Sequence, residues 1–159
     1  MNKLSTPWQF KLFVFLLTAS FMGFAFINSA MPADVSGNDS QFVLQFVQSI
    51  IDNLGLNLKL SEFFIRKVAH FTEYTAIGCM LMLCGYSFNK LKPYKYYSKM
   101  LFAGLLTPVI DETIQLFVEG RSGQLTDVWL DFSGILTGLL VMFFFLFIYV
   151  RIRKWHKLR

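Results

Sequence analysis

The sequence contains few charged residues for its length. Only 16% of its 159 residues are Asp, Glu, Lys or Arg, whereas 55% are hydrophobic. Soluble domains carry about 25% charged residues, so this composition indicates a protein whose solvent is a lipid bilayer. The formal net charge of +5 does not indicate nucleic-acid binding. The basic residues crowd the two termini and one loop, a distribution typical of a membrane protein.

Cysteine and histidine are also scarce. The two cysteines, Cys79 and Cys84, lie five residues apart in one apolar segment and would point to different sides of a helix. That spacing excludes an intrahelical disulfide and a paired-cysteine metal site. Only His70 and His156 are available as imidazole ligands, and His156 belongs to the basic C-terminal tail. A zinc site usually takes more ligands than His70 and Glu73 offer, so we expect neither a metal nor another cofactor.

Four hydrophobic stretches approach the roughly 20 residues that a helix needs to cross a bilayer. They cover residues 10–30, 64–86, 100–118 and 128–150. We therefore predict an all-α membrane protein in which residues 1–159 form a single domain with four transmembrane helices. The first stretch could instead be a cleaved signal peptide, but it is long for one, so we favour a retained helix.

The basic residues predict an orientation. They flank the start of the first span, separate the second from the third, and follow the fourth: Lys3, Lys11, Lys90, Lys92, Lys95, Lys99, Arg151, Arg153, Lys154, Lys157 and Arg159. By the positive-inside rule these segments and both termini are cytoplasmic, so the connections 31–63 and 119–127 face outward.

The first outer connection contains an amphipathic helical pattern. Its apolar face comprises Val43, Phe46, Val47, Ile50, Ile51 and Leu54, and Gly55 is a natural stop. The opposite face carries glutamines and Asp52 but lacks the lysines of a membrane-surface anchor. We predict an extracytoplasmic helix that packs over the bundle, with docking at the membrane interface as the alternative.

Each of the last three spans has one polar face. At about 100° per residue, each polar set falls within an arc of about 120° or less. The sets are Arg66, Lys67, His70, Glu73 and Tyr74; Asp111, Glu112, Gln115 and Glu119; and Asp127, Asp131, Gly134 and Gly138. The predicted orientation places all of them in the outer half of the membrane. Charges in hydrocarbon cost a few kcal/mol each, so we expect these faces to meet one another or a water-filled cavity. The two glycines have the spacing that allows close helix packing.

The segments "KVAHFTEYTAIG" and "DETIQLFVEGRSGQLTDVWLDFSGILTG" resemble the VanZ-like family of small membrane proteins, named for a determinant of teicoplanin resistance. The family motif falls on Lys67, His70, Glu73, Tyr74, Asp111, Glu112, Gln115, Arg121, Asp127 and Gly134. Asp131 stands where Asn is expected, and Glu119 where Pro is common. The resemblance implies a setting in the cell envelope but no particular reaction.

Three functions are compatible with these residues. The leading hypothesis is a cell-membrane protein that lowers susceptibility to glycopeptide-type antibiotics by engaging an anionic lipid or lipid-linked envelope precursor at the outer leaflet. Its ligand-binding candidates are Arg66, Lys67, Tyr74, Gln115, Arg121, Asp127 and Asp131, and its candidates for proton transfer are His70, Glu73, Asp111 and Glu112. The alternatives are a membrane-embedded hydrolase or transferase that uses His70 with the carboxylates, and a non-catalytic structural or regulatory subunit. The sequence indicates no oligomeric state.

In the structural alternative, the same groups pair within the bundle. The pairs expected there are His70 with Glu73, Asp111 and Glu112 with Lys67 and Arg121, and Arg121 with Asp127.

Overall fold

The computed structural model describes residues 6–156, apart from the side chains of Asp39, Lys154, Trp155 and His156. Lys3, Lys157 and Arg159, which contribute to the predicted orientation, lie outside these residues. The described elements are α1 (Trp8–Ser29), α2 (Ala33–Asn53), α3 (Glu62–Phe88), a 3-10 helix (Pro93–Tyr96), α4 (Tyr97–Gln115) and α5 (Leu125–His156). The prediction of an all-helical fold is confirmed.

Two helical segments are long and apolar enough to cross a membrane: Trp8–Ser29 and Leu125–Arg153. Large aromatic side chains along both of them, such as Phe15 and Phe145, are exposed. Such apolar outer surfaces are typical of helices in contact with lipid. The two segments are consistent with a membrane protein.

Helix α4 ends earlier than predicted. It stops at Gln115, and the chain then tightens into a turn in which the Phe117 and Val118 amides donate to carbonyls three residues earlier, at 3.0 and 3.2 Å. Gly120 follows with φ of 74°, a left-handed conformation that glycine adopts without strain. Glu119 therefore lies in the α4–α5 loop, and its predicted place on the polar face of the third span is wrong.

Close packing of α3 against α5 forms the centre of the bundle. A Cβ added at Gly134 would lie 2.7 Å from the Phe71 carbonyl oxygen, and one at Gly138 would collide with the Thr75 carbonyl oxygen. Ile135, between the glycines, is fully buried. The predicted role of the two glycines in close helix approach is confirmed.

The described basic segments gather at one end of the bundle. The Lys11 ammonium group, near the start of α1, lies 5.2 Å from the centroid of the Phe88 ring, at the end of α3. Lys90, in the loop after α3, lines a cavity together with Val150 near the end of α5. The acidic residues of α4 and α5 lie towards the other end, where Arg66, Lys67 and Arg121 accompany them.

Helix α2 is tied to the segment that precedes α3. The Gln48 side chain donates to the Leu58 carbonyl at 2.9 Å and accepts from the Leu60 amide at 3.1 Å. Its apolar face nevertheless stays largely open, with Phe42 and Phe46 74% and 61% exposed. Helix α2 thus covers the bundle only in part, and its exposed apolar side chains fit the alternative of docking at a membrane interface.

Candidate functional site

Three carboxylates from two helices lie buried together. Asp111 and Glu112 belong to α4 and Asp131 to α5, and their exposed fractions are 0%, 5% and 1%. We call these three residues the acidic cluster. His70 and Tyr74 approach it from α3, and Ser29 from α1. The three predicted polar faces do meet, as expected, and the first helix joins them.

Asp111 is hydrogen-bonded through only one of its two oxygens. Its Oδ2 accepts from the Ser29 hydroxyl at 2.6 Å and from the Gln115 side-chain amide at 3.1 Å. Its Oδ1 is buried and has no hydrogen-bond partner among the described residues. The Oδ1 oxygen of Asp111 is therefore available to accept a hydrogen bond or to bind a ligand.

Asp131 is the least satisfied member of the cluster. Both of its oxygens are buried without a hydrogen-bond partner in the described part of the chain. The nearest cationic or basic group is His70, whose Nδ1 lies 3.8 Å from Oδ2. That distance is too long for a hydrogen bond. A carboxylate in this setting carries a desolvation cost that no neighbouring donor offsets.

Tyr74 lies one helical turn beyond His70. Its ring is fully buried and stacks on the His70 ring with 6.5 Å between the centroids. The Tyr74 hydroxyl lies near Asp111 but forms no hydrogen bond of standard geometry among the described residues. Close by, His70, Asp111 and Asp131 each offer one ligand atom, and these atoms all lie within 4.8 Å of one another.

Glu112, by contrast, is fully engaged in the fold. Its Oε2 accepts from the backbone amide of Gln124 at 2.8 Å, and its Oε1 accepts from the Gln115 side chain at 3.1 Å. Gly123 permits this approach, because a Cβ there would collide with the Glu112 carbonyl oxygen. The hydrogen bonds of Glu112 thus connect the end of α4 to the start of α5.

Lys67 pairs with Asp127, in the first turn of α5. The predicted pairing of Arg121 with Asp127 is therefore wrong. The α4–α5 loop instead turns Arg121 back to α1, where its guanidinium donates to the Asn28 carbonyl at 3.1 Å. Carbonyls in the last turn of a helix have no intrahelical partner and attract cations.

The other predicted ion pairs do not form either. No salt bridge joins Asp111 or Glu112 to a lysine or arginine within residues 6–156, since Asp111 faces Ser29 and Glu112 faces the start of α5. Glu73 does not contact His70; its Oε1 lies 3.5 Å from the side-chain amide of Asn28. The two side chains diverge because His70 points to α5 and Glu73 to α1.

Two cavities open beside the cluster. A small polar cavity of about 90 Å³ lies between α3 and the α4–α5 loop and includes Lys67 and Asp127 in its lining. A larger groove of about 510 Å³ lies between α1, α2 and α3; its apolar lining includes Phe24, Val43, Val47, Leu60, Phe64 and Val68. Arg66, His70 and Arg121 line both cavities. The polar cavity and the apolar groove are therefore adjacent and share two guanidinium groups and an imidazole in their linings.

Sequence reasoning missed the contribution of α1. Asn28 and Ser29 supply contacts to Glu73, Arg121 and Asp111. The available signal was the polar pair in "INSA" at the end of an otherwise apolar span. Polar side chains at that depth are themselves indicators of a contact inside the bundle.

No curated protein and no solved structure matched the chain. The family model described as VanZ/LLP1 does match, over residues 13–148. The match includes every position of the motif on which the resemblance depends, from Lys67 on α3 to Gly134 on α5. This chain therefore belongs to the VanZ/LLP1 family.

Proposed function

We propose that this protein crosses the cell membrane four times, through α1, α3, α4 and α5, with both termini in the cytoplasm. There it binds an anionic lipid or lipid-linked envelope precursor from the outer leaflet, and so lowers susceptibility to glycopeptide-type antibiotics such as teicoplanin. The basic end of the bundle would be cytoplasmic by the positive-inside rule. The acidic cluster and both cavities would then lie on the extracytoplasmic side.

The observation that carries this proposal is that the two cavities are adjacent and share Arg66, His70 and Arg121 in their linings. The groove between α1, α2 and α3 is lined mainly by apolar side chains and suits a hydrocarbon chain. The adjoining cavity is lined by Arg66, Arg121 and the Lys67–Asp127 ion pair, and its two guanidinium groups suit a phosphate or carboxylate. An amphiphile with an anionic headgroup would occupy both cavities at once, because Arg66 and Arg121 stand where they join.

The charges of Arg66 and Arg121 act on each other. Burial and the neighbouring charge of Arg66 lower the pKa of Arg121 from its ordinary value. Arginine nevertheless stays protonated in proteins, so the two guanidinium groups remain mutually repulsive. A headgroup phosphate between them would offset that repulsion and accept several charge-assisted hydrogen bonds.

A binding experiment tests the proposal directly. Purified protein in nanodiscs would be titrated with phosphatidylglycerol and with a polyprenyl phosphate, and phosphatidylcholine would serve as the zwitterionic reference. We expect preferential binding of the anionic lipids and a loss of about tenfold or more in Arg121→Gln, because a hydrogen bond to a charged group contributes about 1.5–3 kcal/mol. Arg153→Gln, an exposed arginine at the basic end, is the matched control and should bind normally.

The resistance component of the proposal has its own test. Cells that produce wild-type protein, Arg121→Gln or Arg153→Gln at equal membrane abundance would be compared for glycopeptide susceptibility. We expect Arg121→Gln to lose protection and Arg153→Gln to retain it. A stable Arg121→Gln variant with full lipid binding and full protection would remove Arg121 from the site.

A second candidate function is supported by the position of His70. The imidazole lies at the junction of the two cavities and close to Asp131, where it would reach the headgroup of a bound lipid. A membrane-embedded hydrolase or transferase would use it as a general acid or base. Turnover of the lipid headgroup that disappears in His70→Ala, with lipid binding retained, would favour this enzyme over a binding protein.

The structural or regulatory subunit is the third candidate. The Lys67–Asp127 ion pair and the Glu112 hydrogen bonds are the contacts that such a protein would require. In this case, variants of Arg121 would reduce function only in proportion to lost folded protein.

A further inference from the structure

We propose that His70, Asp111 and Asp131 bind one divalent metal cation between α3, α4 and α5. The inference uses the buried cluster alone and does not depend on lipid binding. It also departs from the expectation from sequence that the chain binds no metal. That expectation considered ligands close together on one helix, whereas the structure brings Asp131 to His70 from another helix.

The first argument is the unsatisfied charge of the cluster. Asp111 and Asp131 are essentially inaccessible, and three of their four carboxylate oxygens have no hydrogen-bond partner among the described residues. Buried carboxylates are otherwise paired with cations or coordinated to metals. Two such groups side by side therefore require positive charge or protons.

The neighbouring cationic side chains do not supply this charge. Lys67 pairs with Asp127, and Arg121 donates to the Asn28 carbonyl. Gln115 and Ser29 satisfy one oxygen of Asp111 only, and neither reaches Asp131. The free oxygens of the two aspartates thus remain available to an exogenous cation.

The geometry suits one ion. The three ligand atoms lie within 4.8 Å of one another. A metal that binds its ligand atoms at about 2.1 Å holds neighbouring ligand atoms about 3.0–3.4 Å apart in octahedral or tetrahedral geometry, so the side chains need to close by at most about 1.8 Å. The Tyr74 hydroxyl, buried and without a hydrogen-bond partner among residues 6–156, would contact a metal-bound water. The remaining coordination positions would open towards the cavities that His70 lines.

The donor set narrows the choice of metal. One imidazole with two carboxylates suits manganese, ferrous iron or zinc. Calcium prefers six to eight oxygen ligands, and magnesium is bound mainly by oxygens. We therefore expect Mn²⁺ and Zn²⁺ to compete for one site, and Ca²⁺ not to displace them at equal concentration.

The test measures metal binding without any lipid substrate. Full-length protein would be purified in detergent, stripped with a chelator and titrated with Mn²⁺, with the unbound ion followed by electron paramagnetic resonance. We expect one Mn²⁺ per chain, displaced by Zn²⁺. Asp131→Asn and Asp111→Asn should each weaken binding by more than about 100-fold, since changes outside the first coordination shell alone cost about 10–100-fold. Glu119→Gln, an exposed acid in the α4–α5 loop, is the control and should bind as wild type.

Thermal unfolding separates loss of binding from loss of folding. Mn²⁺ should raise the melting temperature of the wild type and leave that of Asp131→Asn unchanged. Without metal, Asp131→Asn should melt at or above the wild-type temperature, because it removes an uncompensated buried charge.

Absence of stoichiometric Mn²⁺ or Zn²⁺ binding would overturn the proposal. Equal binding by wild type, Asp131→Asn and Glu119→Gln would overturn it as well. Neither result affects the lipid titration with Arg121→Gln, which is carried out in chelator.

Discussion

Asp131 and His70 face each other across the α3–α5 contact, with 3.8 Å between Oδ2 and Nδ1. This relationship depends on Gly134, three residues after Asp131. Its missing Cβ lets the backbone of α5 approach the carbonyl of Phe71, the residue that follows His70. The approach of Asp131 to His70 and the close backbone packing of α3 against α5 are therefore parts of one arrangement.

The α3–α5 contact should not tolerate a methyl group. Gly138→Ala places a Cβ against the Thr75 carbonyl oxygen, and we expect a loss of about 1–3 kcal/mol in the free energy of unfolding. Gly23→Ala on α1 is the control, because its Cβ would meet nothing within 4 Å. It should be neutral or stabilising by up to about 1 kcal/mol. Thermal unfolding in detergent measures both, and equal melting of the two variants would contradict the packing described here.

Removal of the Glu112 side chain should destabilise the fold. In Glu112→Ala the Gln124 amide and the Gln115 side chain each lose an acceptor, with an expected cost of about 1–3 kcal/mol. Glu119→Ala removes an exposed carboxylate from the adjacent loop and should change stability by less than about 0.5 kcal/mol. The comparison uses membrane abundance and thermal melting. If Glu112→Ala melted like the wild type, the conclusion that Glu112 stabilises the connection between α4 and α5 would be wrong.

Charge reversal should identify the partner of Lys67. Lys67→Asp and Asp127→Lys should each reduce stability, whereas the double variant should recover about 1 kcal/mol, since both side chains are only about one-fifth exposed. The corresponding exchange of Arg121 and Asp127 should give no recovery, because these residues do not pair. If only the exchange of Arg121 and Asp127 restored stability, Arg121 rather than Lys67 would be the partner of Asp127.

The proposed orientation predicts which tags a protease reaches. In intact cells, tags at the two termini should be protected from external protease, and a tag inserted near Gly37 on α2 should be cleaved. Permeabilised cells control for tags that are folded away. Cleavage of a terminal tag in intact cells would reverse the orientation or show that the first helix is processed.

The fold was largely predictable because hydrophobic length and helical periodicity are local properties. Helices α1, α3, α4 and α5 follow the predicted spans with ends shifted by one to six residues, and α2 follows the amphipathic pattern. The end of α4 was missed because Leu116, Phe117 and Val118 extend the hydrophobic run beyond the helix. A hydrophobic pattern alone does not predict the tight turn that leads to Gly120.

The site was predictable as a set of residues but not as a set of partners. Helical arcs identified the faces that carry His70, Asp111 and Asp131, and the structure brings these three together. They did not identify which cation meets which carboxylate. That choice depends on the rotation of α5 and on the course of the α4–α5 loop, which directs Arg121 to the end of α1.

The acidic cluster and its neighbours Ser29 and His70 come from helices that are far apart in the sequence, which has a consequence for biosynthesis. Ser29 and Asp111 are 82 residues apart, and Asp131 is later still. The ribosome therefore completes α1 and α3 before either aspartate exists. Each carboxylate emerges from the translation machinery when its hydroxyl or imidazole neighbour is already in place. If these helices span the membrane as proposed, insertion in this order would shorten the interval in which a lone aspartate resides in lipid.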